Sequence, residues 1–125
     1  MTTAHEYGPT PVPQPPARPE ELRAALAQLN PGRIAEFDSD RAKATDRARS
    51  GVSAAPLRTF AEAWAIEVAI ERHPATAAHL RELEGHAATT ADITTARSIA
   101  AEISRIRGAA ATEAGIRAVA EGAAQ

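Results

Sequence analysis

Four histidines, His5, His73, His79 and His86, have the widest chemical repertoire in this chain, because an imidazole can bind zinc or move a proton near neutral pH. A zinc site needs three or four nitrogen or oxygen ligands converging at bonding distance. His73, His79 and His86 with Glu82 or Glu84 could converge only through a bend around Gly85, and no two histidines stand four apart on one helix face. Ser50, Ser53, Ser98 and Ser104 lack the Gly-x-Ser-x-Gly elbow that exposes a nucleophile. The carboxylate pairs Glu67/Glu71 and Glu82/Glu84 could divide acid and base roles only inside a pocket; on helices so rich in charge they read as a solvated face. There is no Gly-rich phosphate loop and no cysteine, which removes thiolate nucleophiles, disulfides, iron–sulfur clusters and Cys-ligated zinc. The expectation is a non-enzyme with no catalytic residue, cofactor or metal.

Binding chemistry is the remaining class. Arg41, Lys43, Arg47 and Arg49 face the single Asp46, but at 100° per residue they point in spread directions, and with Arg33, Glu36, Asp38 and Asp40 the segment carries a net charge of only +1. The break at Gly85 to Thr89 is a poor helix-turn-helix, with only Arg97, Arg105 and Arg107 on the following helix. Nucleic acid is therefore not the expected partner, and a DNA-binding transcriptional regulator is the alternative reading. Pro13-Gln14-Pro15-Pro16-Ala17-Arg18 matches a Pro-x-x-Pro-x-Arg ligand pattern, which any proline-rich tether produces easily.

The elements that must position these residues are helical. Six of nine prolines lie in residues 1–19, so 1–18 reads as a disordered, unpacked tail of polyproline II character. Pro19 opens a helix carrying Leu22, Leu26 and Leu29, closed by Asn30-Pro31-Gly32. Over about 32–49, Ile34 and Phe37 head an apolar face that thins to Ala44 and Ala48. Asp38/Arg41, Asp40/Lys43 and Asp46/Arg49 are spaced to pair along that helix, and Ser50-Gly51 is expected to supply its left-handed stop. From Pro56 to Arg72, Leu57, Phe60, Trp64 and Val68 form one stripe, with Ala63, Ile66 and Ile70 on another, the pattern of a helix sandwiched between neighbours. Ala75 to Glu84 places Ala77, Leu80 and Leu83 inward with Gly85 as cap. After Thr89 or Thr90, the stripe Ile93, Ala96, Ile99, Ala100, Ile103, Ile106 runs through Arg107. Residues 108–125 are Ala-rich without bulky anchors and read as a frayed or disordered extension.

With 125 residues, 32 alanines and only 20 Leu, Ile, Val and Phe, the chain has room for one lean domain, and its net charge of only -2 with so much alanine favours a helical domain over a disordered chain. The fold class expected is all-α, a small bundle of about five helices over 19–107, with Leu22, Leu26, Leu29, Ile34, Phe37, Leu57, Phe60, Trp64, Val68, Leu80 and Leu83 as core. No apolar stretch approaches membrane-spanning length and no signal-peptide pattern opens the chain, so a cytoplasmic setting without membrane contact is expected.

Arg18-Pro-Glu-Glu-Leu-Arg-Ala-Ala-Leu, then Leu29, Phe37, Ala44 and Ala48 before Leu57, Trp64 and Ala69, resembles a group of short actinobacterial proteins classed as a domain of unknown function. That group has a Pro-led first helix, a turn, an aromatic, acidic and Ala-rich second helix, and a third with Leu followed by Trp. The match covers about residues 18–74. Some members lie near toxin–antitoxin genes, so the resemblance implies an antitoxin-like or regulatory role and carries over no catalytic residue. The Ile- and Ala-rich C-terminal helix has no counterpart in it. The function expected is a helical protein–protein interaction or regulatory module, in which Ile93 to Ile106 either closes the bundle or meets a protein partner or second copy.

Overall fold

The structure is a computed structural model and describes residues 12–116; the expectations for residues 1–11, including His5, and for 117–125 lie outside the described residues. Five helices follow in order: α1 (Pro19–Leu29), α2 (Ile34–Gly51), α3 (Ala55–Glu71), α4 (Pro74–Thr89) and α5 (Ile93–Glu113), with a single 3-10 turn, Pro31–Arg33, between α1 and α2. No strand occurs among the described residues, and the fold is the all-α bundle that the periodicity predicts.

Prolines punctuate the chain as their missing N–H dictates: each of α1, α3 and α4 carries one in its first two positions, where an unpaired donor costs nothing. The start of α5 is set by Asp92, whose carboxylate accepts from the Thr95 amide at 2.8 Å and from the Thr95 hydroxyl at 2.6 Å. Thr89 and Thr90, the expected caps, lie at the end of α4, where the Thr89 hydroxyl donates back to the His86 carbonyl.

The central helix α3 is buried on two sides. On one, Leu22 and Leu26 of α1 and Phe37 and Ala44 of α2 close over Phe60, Trp64 and Val68, with Leu29, Ile34 and Leu57 at the margin. The Phe37 ring meets Phe60 at 5.0 Å and Trp64 edge-on at 5.2 Å, the geometry that aromatic quadrupoles favour. On the other side Ala69 and Ile70 pack with Ala77 and Leu80 of α4 and Ala110 of α5, and Ile66, Ile103 and Ile106 flank them. Leu83 is half-buried.

Four expectations are corrected. The tail packs from Val12 onward: Val12 is buried against the first core, the Arg72 guanidinium donates to its carbonyl at 2.9 Å, and the Gln14 amide donates to the Ala65 carbonyl at 3.1 Å. An extended segment with few hydrogen bonds of its own can bond sideways, and α3 and its C-cap Arg72 offer it an acceptor and a donor. Gly85 does not stop α4, which runs on to Thr89, because one helical glycine costs only about 1 kcal/mol and Ala87 and Ala88 are strong helix formers. Gly51 is the last residue of α2, and the left-handed position falls on Val52 (φ 49°, ψ 54°). Finally, α5 continues past Arg107 to Glu113 with Ala110 and Ala111 buried. Alanines without bulky neighbours are what allow two helices to approach closely, and Ala110 lies in one cluster with Ala69 and Ala77.

Candidate functional site

The stripe on α5 is divided by the fold. Ile99 is buried and Ile103 and Ile106 are half-buried against α3 and α4; Ala96 is half-buried, while Ala100 is exposed and Ile93 is 62% exposed. Of the two roles expected for the stripe, closing the bundle is the one Ile103 and Ile106 perform, flanking the Ala69, Ile70, Ala77, Leu80 and Ala110 cluster on the second face of α3.

Glu67 and Glu71, read as a solvated face, form instead the polar centre of a cleft of about 460 Å³ between the α1–α2 turn, α3, α4 and α5, with Glu84 in its lining, while Glu82 is exposed as expected. Arg33 Nη1 donates to Glu67 at 2.9 Å and to Glu71 at 3.3 Å, and its Nε donates to Glu36 at 3.1 Å. Arg107 donates to Glu67 at 2.7 Å and to Glu84 at 3.3 Å, while Arg81 and Asn30 serve Glu71 at 3.1 and 3.4 Å. The Arg33 guanidinium also stacks 4.7 Å from the Trp64 ring centroid. Burial alone would raise the Glu67 carboxyl; hydrogen bonds from Arg107 and Arg33 and their charges outweigh it and hold the group below the ordinary glutamate value. Burial likewise works against the Arg107 charge, and Glu67 and then Glu84 reverse the balance, raising its pKa. Each of these charges has an opposite charge as neighbour, so the cleft joins four segments of chain: the α1–α2 turn, α3, α4 and α5.

The three described histidines form no common site. His73 meets Glu113 at 3.0 Å, His79 lies 3.6 Å from Glu102, and His86 is exposed. Among the described residues no three metal-ligating side chains converge. Nor do the charges of α2 pair along their own helix. Arg23 of α1 takes Asp38 with a two-pronged grip (2.9 and 2.8 Å), and Arg41 reaches Glu20 at 2.9 Å. The two helices run antiparallel, and the long guanidinium stems span the gap.

Besides a smaller groove of about 320 Å³ between α3, α4 and α5, lined by Ala69, Ile70, Ile106 and Ala110 among others, an open groove of about 580 Å³ lies between the C-terminal half of α2 and the N-terminal half of α3. It exists because side-chain bulk runs out along α2. Phe37 fills the space beside α3, whereas beyond Asp40 Ala44 is the only buried residue of α2, opposite Ala55, Pro56, Thr59 and Ala63. Phe60 and Trp64 form the floor, and the Trp64 indole N–H donates to Asp40 at 3.1 Å. That bond satisfies the one polar atom of an otherwise apolar floor. Lys43 and Arg47, one helical turn apart, line the α2 side.

Of the thirteen lysines and arginines among the described residues, eight lie within ion-pair distance of a carboxylate. The five that do not are Lys43, Arg47, Arg49, Arg58 and Arg97, and the first four stand at the α2–α3 end of the bundle. Sequence reasoning located the cation cluster on α2 but not its groove; the thinning of the apolar face to Ala44 was the available signal. No helix among the described residues is long and apolar enough to cross a membrane.

No protein-family model, no curated protein and no solved structure matches this chain.

Proposed function

We propose that this chain is a small, non-catalytic helical module for protein–protein interaction, and that the α2–α3 groove is its binding face. The observation that carries the reading is the groove itself: an apolar trough floored by Phe60 and Trp64, left open by the small residues above it, in a bundle whose other charged surfaces are largely compensated internally. Aromatic side chains in a concave patch are the usual anchors of binding energy at interfaces. An antitoxin-like, cytoplasmic regulator is the finer form of the same proposal, supported by the resemblance over residues 18–74.

The test fills the groove without touching the core. Thr59 and Ala63 are exposed and line it, so a Thr59→Arg, Ala63→Arg double variant keeps its helical circular dichroism and loses whatever protein the native chain retains from a lysate of its host. Equal retention by both chains, or no partner retained by either, refutes the reading. A DNA-binding regulator is the second reading, favoured by the four cations at the same end of the bundle that have no ion-pair partner among the described residues. It predicts duplex binding whose affinity falls steeply with added salt.

A further inference from the structure

The groove has a chemistry that narrows what can occupy it. Its floor and far wall are apolar: Ala44, Ala55, Pro56, Phe60, Ala63 and Trp64. Its near wall carries Lys43 and Arg47 four residues apart, so two cationic side chains rise from neighbouring turns of α2, their Cβ atoms about 6 Å from one another. Neither has a carboxylate within ion-pair distance among the described residues, in a molecule where most cations are paired. Asp40, the one acid in the lining, is engaged by the Trp64 indole. Polyphosphate recognition asks for several cations converging on one face; here two cations border an apolar trough that a nucleic-acid backbone would leave unfilled.

We propose that the groove receives an acidic amphipathic helix of a partner protein, with apolar side chains laid over Phe60 and Trp64 and carboxylates at i, i+4 spacing against Lys43 and Arg47. The proposal rests on the interaction-module reading above and specifies the chemistry of its partner. Two antiparallel helices with a trough between them are a natural seat for a third, as in other helix-in-groove interfaces, where apolar anchors recur at i, i+3, i+4 and i+7. The charged border contributes mainly selectivity and orientation, since exposed ion pairs add little net affinity. A basic helix of equal apolar content would place like charges against Lys43 and Arg47 and be rejected.

Trp64 is the only tryptophan in the chain and lies in the groove floor, so its fluorescence reports occupancy directly. The probe is a Trp-free synthetic helical peptide with leucines at i, i+4 and i+7 flanked by glutamates at i, i+4, and its twin with every glutamate replaced by lysine. The native full-length chain is expected to give a saturable titration with the acidic peptide at least about tenfold tighter than with the basic twin. The Lys43→Glu, Arg47→Glu double variant alters only exposed side chains; it retains the native helix content and inverts the preference.

No saturable response to the acidic peptide up to about 1 mM, equal binding of the twins, or an uninverted preference each overturns the proposal. So does displacement of the acidic peptide by duplex DNA at lower concentration, which points to nucleic acid. A dimer of the native chain in sedimentation that the double variant dissociates assigns the groove to a second copy and overturns it too. If the peptides fail while the Thr59→Arg, Ala63→Arg variant still loses a retained protein, the interaction-module reading stands and the acidic-helix chemistry alone falls.

Discussion

Replacing Arg33 tests whether the bundle is joined by its polar cleft as well as its apolar core. The side chain is 21% exposed, lies against the Trp64 ring, and donates to Glu67, Glu71 and Glu36. Arg33→Met keeps much of the stem volume and removes every donor. The carboxylates are not orphaned, because Glu67 keeps Arg107 and Glu71 keeps Arg81, so the cost lies below the roughly 3 to 5 kcal/mol of a stranded buried charge. The 2.9 Å bond to Glu67 is charge-assisted and half-shielded from water, worth about 1 to 1.5 kcal/mol after screening. The longer contact to Glu71 adds about 0.5 kcal/mol, and the ring contact a further ~0.5 kcal/mol. The exposed Glu36 pair adds little.

The expected loss is about 2 kcal/mol for Arg33→Met and about 1 kcal/mol for Arg33→Lys, which keeps the charge but not the planar fork. Urea unfolding followed by circular dichroism reads both. A double-mutant cycle with Glu67→Gln should show a coupling near 1 kcal/mol. An Arg33→Met variant within about 0.5 kcal/mol of the native chain, or an Arg33→Lys variant equal to it, refutes the account.

Gly85→Ala separates a helix interior from a cap: a Cβ at Gly85 meets nothing within 4 Å and α4 continues through it, so the substitution should stabilise by about 0.5 to 1 kcal/mol, whereas a left-handed cap would be destabilised. Val52 is 90% exposed and held at φ 49°, so Val52→Gly relieves backbone strain at no packing loss, and its thermal midpoint should rise by several degrees, for a gain of about 1 kcal/mol. Because the Glu67 carboxyl is held below its ordinary value when folded, its stabilisation is fully present above the unfolded value of about 4.3 and is lost as pH falls through the lower folded value. Glu67→Gln should flatten the acid limb of a stability–pH curve measured by urea unfolding, and an unchanged limb would count against the ion-pair assignment.

Local chemistry made the helices legible. Pro19, Asn30-Pro31 and Pro74 mark starts and stops by what a missing donor and a fixed φ forbid, and the spacing of Phe37, Phe60 and Trp64 identifies the first core. Reasoning from bulk, however, treats alanine as absence. Ala65, Ala69 and Ala77 are among the most deeply buried residues, and Ala110 continues α5 where the lack of large anchors predicted fraying. The groove is the complement of the same property: at Ala44 and Ala63 no third helix approaches, so small side chains there leave open space.

Sequence alone thus determined the all-α class, the number of helices and the α3 centre, because propensity, proline geometry and apolar periodicity act within a few residues of chain. Tertiary structure decided which charges pair. Arg33 and Glu67 lie 34 positions apart and Arg107 and Glu67 lie 40, and an ion pair depends on distance in space, which only the packing of whole helices sets. It also decided that Val12 docks, that Val52 rather than Gly51 takes the left-handed turn, and that an open groove is left between α2 and α3 where side-chain bulk runs out.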